Sequence, residues 1–260
     1  MKDNILNISC VQSNIEWENI DKNLNNFSEI LNDIPEQTHL VVLPEMFTTG
    51  FSMNSTQLAE SMTGKSFVWM KQQALKHNTT LLGSIIVSEN NNYYNRCIVM
   101  FPNGKYYTYD KAHLFRMGQE HKDYTKGKSK IIFKQDAWRI CPLICYDLRF
   151  PVWSRNCNNY DVLIYIASWP ESRRDVWNTL LKARAIENQA YVIGVNRVGS
   201  DGEGISYAGD TTIIDPKGEI IAKAKDHHNE IINAKLSLID LNAFREKFPV
   251  FLDADKFDLL

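Results

Sequence analysis

Asp161-Val162-Leu163-Ile164-Tyr165-Ile166-Ala167 carries one charge at its head and then no alternation of polar and apolar positions. A strand without that alternation is buried on both faces, so layers must cover it above and below. A helical stretch, Asp175 to Gln189, follows, and then another strand, Ala190 to Arg197. The same rhythm runs back to the N-terminus. Asn4 to Val11 reads as a strand. Trp17 to Leu31 reads as an amphipathic helix, with Trp17, Ile20, Leu24, Phe27, Ile30 and Leu31 on one face. His39 to Leu43 is a short buried strand, Phe67 to His77 a helix and Thr79 to Val87 a strand. Tyr94 to Phe101 and Lys105 to Tyr109 form a hairpin around Pro102-Asn103-Gly104. Lys130 to Phe133 and Ala137 to Cys145 form a second, before a short helix at Val152 to Asn158. Thr211 to Asp215 and Glu219 to Ala224 form a third, and Glu230 to Lys235 is the last strand. Mixed sheets with helices outside them make an α/β layered sandwich.

No repeat or linker divides the chain, so residues 1–260 read as one domain. The tail from Phe244 to Phe257 holds four phenylalanines with little periodicity, and needs a surface on its own domain or on a partner subunit. With 44% apolar and 23% charged residues the composition is that of a soluble globular protein. A net charge of −2 supplies no basic field for nucleic acid or an anionic membrane. Asp3, Asn4 and Asn7 interrupt any leader-like apolar core, and the longest apolar runs are strand-sized. Five scattered cysteines (Cys10, Cys97, Cys141, Cys145 and Cys157) form no paired framework and point to reduced thiols and a cytoplasmic location.

In α/β sheets reactive groups collect beyond the carboxyl ends of strands. Three such ends are unusual here: Leu43-Pro44-Glu45, Tyr109-Asp110-Lys111 and Ile144-Cys145. A thiol on a sharp strand-to-helix turn is held out of the sheet, and a helix N-terminus beyond it favours thiolate. A cysteine taken singly is more often a small core residue, the reading that fits Cys10, Cys97 and Cys141. Glu45, flanked by Val41, Val42, Leu43, Met46 and Phe47, is placed to be a partly buried base. Lys111 near a thiol would favour thiolate and steady a developing oxyanion. Together they point to nucleophilic acyl chemistry.

Leu43-Pro44-Glu45, Tyr109-Asp110-Lys111-Ala112-His113-Leu114-Phe115 and Ile144-Cys145-Tyr146-Asp147-Leu148-Arg149-Phe150-Pro151 resemble the three motifs of the nitrilase (carbon–nitrogen hydrolase) superfamily, in the same order. The resemblance implies a four-layer αββα sandwich with Cys145 as nucleophile, Glu45 as general base and Lys111 as the cation at the tetrahedral intermediate. It also implies that Glu120, in Gly118-Gln119-Glu120-His121, is the family's additional glutamate. No metal or organic cofactor is implied, and at least a homodimer is. The segments Phe150 to Asn156, Ser168-Trp169-Pro170, Ala183 to Tyr191, Asn196 to Gly202 and Glu246-Lys247-Phe248-Pro249 further resemble the omega-amidase branch. Its members hydrolyse the terminal amide of 2-oxo acids such as 2-oxoglutaramate and 2-oxosuccinamate.

Such a substrate carries a carboxylate, which calls for a guanidinium in the pocket. Arg173, Arg149 and Arg116 are the candidates, with Arg173 favoured for its place after Ser168-Trp169-Pro170. Trp169, Phe115 and Tyr146 are candidate pocket walls. N-carbamoyl, deaminated peptide amide and nitrile substrates stay open, as do a redox pair of Cys145 with Cys141 and a silent scaffold. The glycine-rich stretch from Gly199 to Gly204 carries Asp201 and Glu203, which would repel phosphate, and reads as a flexible loop. His113 and His121 with Cys145 match no closed zinc spacing. Arg184 and Glu187, three apart on a helix, read as a structural pair.

Overall fold

The structure is a computed structural model and describes residues 4–255, so Phe257 and the end of the tail lie outside the described residues. One six-stranded sheet has the order β14-β1-β2-β3-β4-β5, built from β1 (Ile5–Gln12), β2 (Leu40–Val42), β3 (Thr80–Glu89), β4 (Asn92–Met100), β5 (Tyr106–Asp110) and β14 (Glu230–Ser237). The other has the order β13-β12-β9-β8-β7-β6, built from β6 (Phe133–Gln135), β7 (Trp138–Ile144), β8 (Val162–Ala167), β9 (Tyr191–Asn196), β12 (Thr212–Ile214) and β13 (Ile220–Lys223). A separate ribbon pairs β10 (Val198–Ser200) with β11 (Ser206–Ala208). Parallel strands form the centre of each sheet (β1, β2, β3 and β7, β8, β9) and antiparallel strands the margins.

Side-chain alternation within the first sheet shows how it is covered. Leu6, Ile8, Cys10, Leu40, Val42, Leu82, Cys97 and Val99 join the core shared with the second sheet. Their neighbours Val11, Val41, Leu43, Leu81, Ile85, Ile98 and Met100 face outward and meet the helices Ile20–Leu31 and Lys65–His77. The first helix starts where the Asn19 side chain accepts from the Lys22 N–H, and it buries Leu24, Phe27 and Leu31. Each such side chain contributes about 1.5–3 kcal/mol on full burial. On the far side, the helix Arg174–Asn188 packs Trp177, Leu181 and Ala185 over the second sheet. The layers are therefore helix, sheet, sheet, helix, the four-layer αββα sandwich.

Several elements differ from the sequence reading: the short helix covers Pro151–Ser154 instead of Val152 to Asn158, and the strand before β7 is Phe133–Gln135 instead of Lys130 to Phe133. Trp17 lies outside the first helix, which begins at Ile20. The tail is helical from Leu238 to Lys247, with its start capped by the Ser237 hydroxyl. That helix lacks an apolar stripe because an arginine anchors it. Buried Arg245 pairs with Asp161 at 2.9 Å and donates to the carbonyls of Tyr160 and Gln189. The Gln189 side chain also donates to the Phe248 carbonyl, so this stretch of tail lies on its own chain.

Candidate active site

The parallel strands of both sheets point their carboxyl ends to the same edge of the sandwich, where β2, β5, β7 and β8 deliver Glu45, Lys111, Cys145 and Ser168. Glu45 is 0% exposed and Lys111 1%. Lys111 Nζ donates to Glu45 Oε1 at 2.8 Å and to Glu120 Oε1 at 3.0 Å. Glu45 Oε2 accepts the backbone N–H of Ser168 at 2.8 Å, a bond from one sheet to the other. Glu120 is also 0% exposed, and its Oε2 accepts the Phe115 N–H at 2.6 Å. The structure thus brings all four residues Glu45, Lys111, Cys145 and Glu120 into one cluster.

Electrostatics sets the protonation of this cluster. Burial alone would push the Lys111 ammonium towards neutrality, but Glu120, Glu45 and Cys145 outweigh it and hold it well above the usual lysine value. Burial raises Glu120, against the pull of Lys111 and the Phe115 N–H, and the nearby Glu45 raises it further. Cys145 is 8% exposed, with burial and Glu45 pushing its thiol up against Lys111 and the Ser168 N–H. The strand leads into a single five-residue 3-10 turn, Cys145–Arg149. Glu45 lies beside the Cys145 thiol, within reach of its proton.

The elbow itself has a left-handed residue, with Cys145 at φ 43°. Asp147, fully buried, fixes the turn: its carboxylate accepts from the Ile144 N–H, the Tyr109 hydroxyl, the His113 N–H and the His113 ring. One carboxylate thus ties the cysteine turn to the loop that carries Lys111. Cys10, Cys97 and Cys141 are buried in the inter-sheet core, with burial raising all three thiols, Cys141 to about 12.

Cys145 and Lys111 open into a cavity of about 580 Å³. Phe115, Tyr146, Arg149, Trp169 and Arg173 all line it, and Arg116 does not. Arg149 stacks over Trp169 at 5.4 Å and Arg173 over Phe115 at 5.3 Å. Among the described residues the ion-paired arginines are Arg96, Arg139, Arg174, Arg184 and Arg245. Arg149 and Arg173 therefore reach the cavity with no carboxylate partner among those residues. Among the described residues no cluster of three or more metal-ligating side chains forms.

Comparison with known proteins adds to this geometry. The sequence model described as "Carbon-nitrogen hydrolase" matches residues 7–246. The chain belongs to the carbon–nitrogen hydrolase family. It is 47% identical to omega-amidase YafV of Escherichia coli K12 across 98% of both chains. It is 35% identical to a 2-oxoglutaramate amidase of Bacillus subtilis, across 96% of this chain and 97% of that one. Among solved structures, a CN-hydrolase superfamily protein of Xanthomonas campestris with an arsenic adduct in its active site superposes with a TM-score of 0.96. It is 37% identical, covering 98% of this chain and 99% of that one.

Several contributors to this carbon–nitrogen hydrolase site escaped the sequence reading. Ser168 acts through its backbone, which side-chain patterns do not reveal. Asn95 donates to both Glu45 and Glu120. A polar amide is uncommon inside a strand, which was the available signal. The Gly199 to Gly204 stretch is an ordered ribbon turn rather than a flexible loop. Asp201 accepts from the Glu203 and Ile205 N–H groups and the Tyr207 hydroxyl, placing Ile205 and Tyr207 on the cavity wall. Behind Tyr207, buried Arg197 stacks at 4.7 Å and donates to the carbonyls of Ile15, Val198 and Ser200.

Proposed function

We propose that this protein hydrolyses the terminal amide of a 2-oxo acid, 2-oxoglutaramate or 2-oxosuccinamate, to the carboxylate and ammonia through a thioester on Cys145. The observation that carries the reading is that Arg149 and Arg173 line the cavity that holds Cys145 and have no carboxylate partner among the described residues. The activities named for the Escherichia coli and Bacillus subtilis relatives support it.

Cys145 Sγ attacks the amide carbonyl while Glu45 takes the thiol proton. Lys111 and the backbone N–H of Tyr146 meet the oxyanion. Glu45 passes the proton to the departing nitrogen, the carbon–nitrogen bond breaks and ammonia leaves a thioester. Glu45 then deprotonates water, which attacks the thioester and releases the acid and the thiol. Glu120, sharing Lys111 with Glu45, steadies the ammonium and the substrate end of this relay. No metal or organic cofactor enters these steps.

Purified protein mixed with 2-oxoglutaramate should release ammonia and show, by mass spectrometry of the quenched reaction, an acyl adduct on Cys145. Turnover of N-carbamoyl, peptide amide or nitrile substrates in preference to both 2-oxo acid amides would overturn the reading. Arg173→Ala is expected to raise KM for 2-oxoglutaramate by roughly ten- to a hundredfold, the range for a lost hydrogen bond to a charged group, with kcat within a few-fold. The same assay on Arg149→Ala tells the two apart, since a larger KM effect there would move the carboxylate to Arg149.

The chain is further assigned as one domain that forms at least a homodimer in the cytoplasm. Exposed Val152, Ile186, Phe248 and Leu252 on the second-sheet side support a subunit contact, and light scattering on the purified protein tests it. No helix among the described residues is long and apolar enough to cross a membrane. The five cysteines are free thiols, in keeping with a reducing compartment.

A further inference from the structure

The buried cluster poses a charge problem: two carboxylates share one ammonium. Glu45 Oε1 and Glu120 Oε1 both lie within 3.0 Å of Lys111 Nζ, and both residues are fully buried. Two acids so close in a dry site tend to keep one proton between them. A proton held there would occupy the oxygen that Glu45 needs as a base.

Asn95, on β4, addresses the same two oxygens. Its Nδ2 donates to Glu45 Oε1 at 2.8 Å and to Glu120 Oε1 at 3.3 Å. Its Oδ1 is buried and has no hydrogen-bond partner among the described residues. A buried acceptor left unmatched is unfavourable, so the amide is oriented by what its donors reach. The backbone of Asn95 also accepts the Lys111 N–H at 3.0 Å, which places amide and ammonium side by side.

We propose that Asn95 is a positioning residue that keeps Glu45 and Glu120 ionised together by donating to the facing oxygen of each. The proposal rests on the reading of Glu45 as the general base. Hydrogen bonds to a charged form favour that form, and an amide donor, unlike a second lysine, does so without adding charge. The other charged or titratable groups facing the pair are Lys111 from the end of β5, the Cys145 thiol from the end of β7 and the Tyr124 hydroxyl. The remaining donors are the backbone N–H groups of Ser168 and Phe115. Among the described residues, only Asn95 and Lys111 donate to both acids.

The test is the pH dependence of kcat/KM for 2-oxoglutaramate in Asn95→Leu and Asn95→Ser, with thermal melts alongside. Leucine keeps the volume and removes the donors. Serine keeps one donor and leaves room, so it decides the matter alone should the leucine variant not fold. In Asn95→Leu the acid limb is expected to move up by about one pH unit or more, with the rate recovering at higher pH. Asn95→Ser should show a smaller shift in the same direction. A folded variant whose acid limb stays where the wild type has it, or whose rate falls equally at every pH, overturns the proposal. Failure of the underlying reading looks different: Glu45→Gln would then retain its full rate, whatever Asn95 does.

Discussion

Cys145→Ala is expected to release no measurable ammonia from 2-oxoglutaramate, a fall in kcat of at least about 10⁴-fold, while the protein stays folded. The thiol lies between the buried Glu45 carboxylate and the open cavity. Its removal deletes a bond-forming atom, which no neighbour replaces. Cys141, four residues earlier, faces the inter-sheet core instead and cannot reach the cavity. The variant should melt close to the wild type, because alanine changes little volume. Ammonia release within tenfold of the wild type would remove Cys145 from the mechanism.

The second large effect is expected from Lys111→Met, in rate and in stability together. Losing one cation at a developing oxyanion costs about 10²–10³-fold in kcat. Here the same ammonium also neutralises Glu45 and Glu120. Without it two buried carboxylates depend on amide donors, and breaking such a pairing typically costs about 3–5 kcal/mol. The folded variant should relieve this by binding a proton that the unfolded chain does not hold. Stability then falls as pH rises, because the native state is the one with more protons bound. Urea melts at pH 5 and pH 8 should therefore show a larger deficit at pH 8. A deficit that is the same at both pH values would mean that Lys111 does not carry this charge balance.

How much of the molecule is legible in its sequence depends on how far each signal reaches. Glu45, Lys111 and Cys145 each end a strand, so local pattern and residue type point to the same edge of the sheets. Ser168 N–H to Glu45 spans 123 positions, and no local pattern encodes that contact. The pairing of β1 with β14, in which Gln12 faces Glu230, is equally remote in sequence. The alternation within β1 to β4 is hidden because both faces are apolar, one towards helices and one towards the second sheet. The helix Leu238–Lys247 escapes pattern reading because a buried arginine, rather than an apolar stripe, fastens it.

The positive φ at Cys145 carries one more implication. Side chains with a Cβ are disfavoured in that region by about 1–2 kcal/mol, and glycine is not. Cys145→Gly relieves that cost relative to Cys145→Ala, so the glycine variant should melt at least as high as the alanine variant while remaining inert. The cost of holding a side chain in that region thus falls on the residue that faces the cavity.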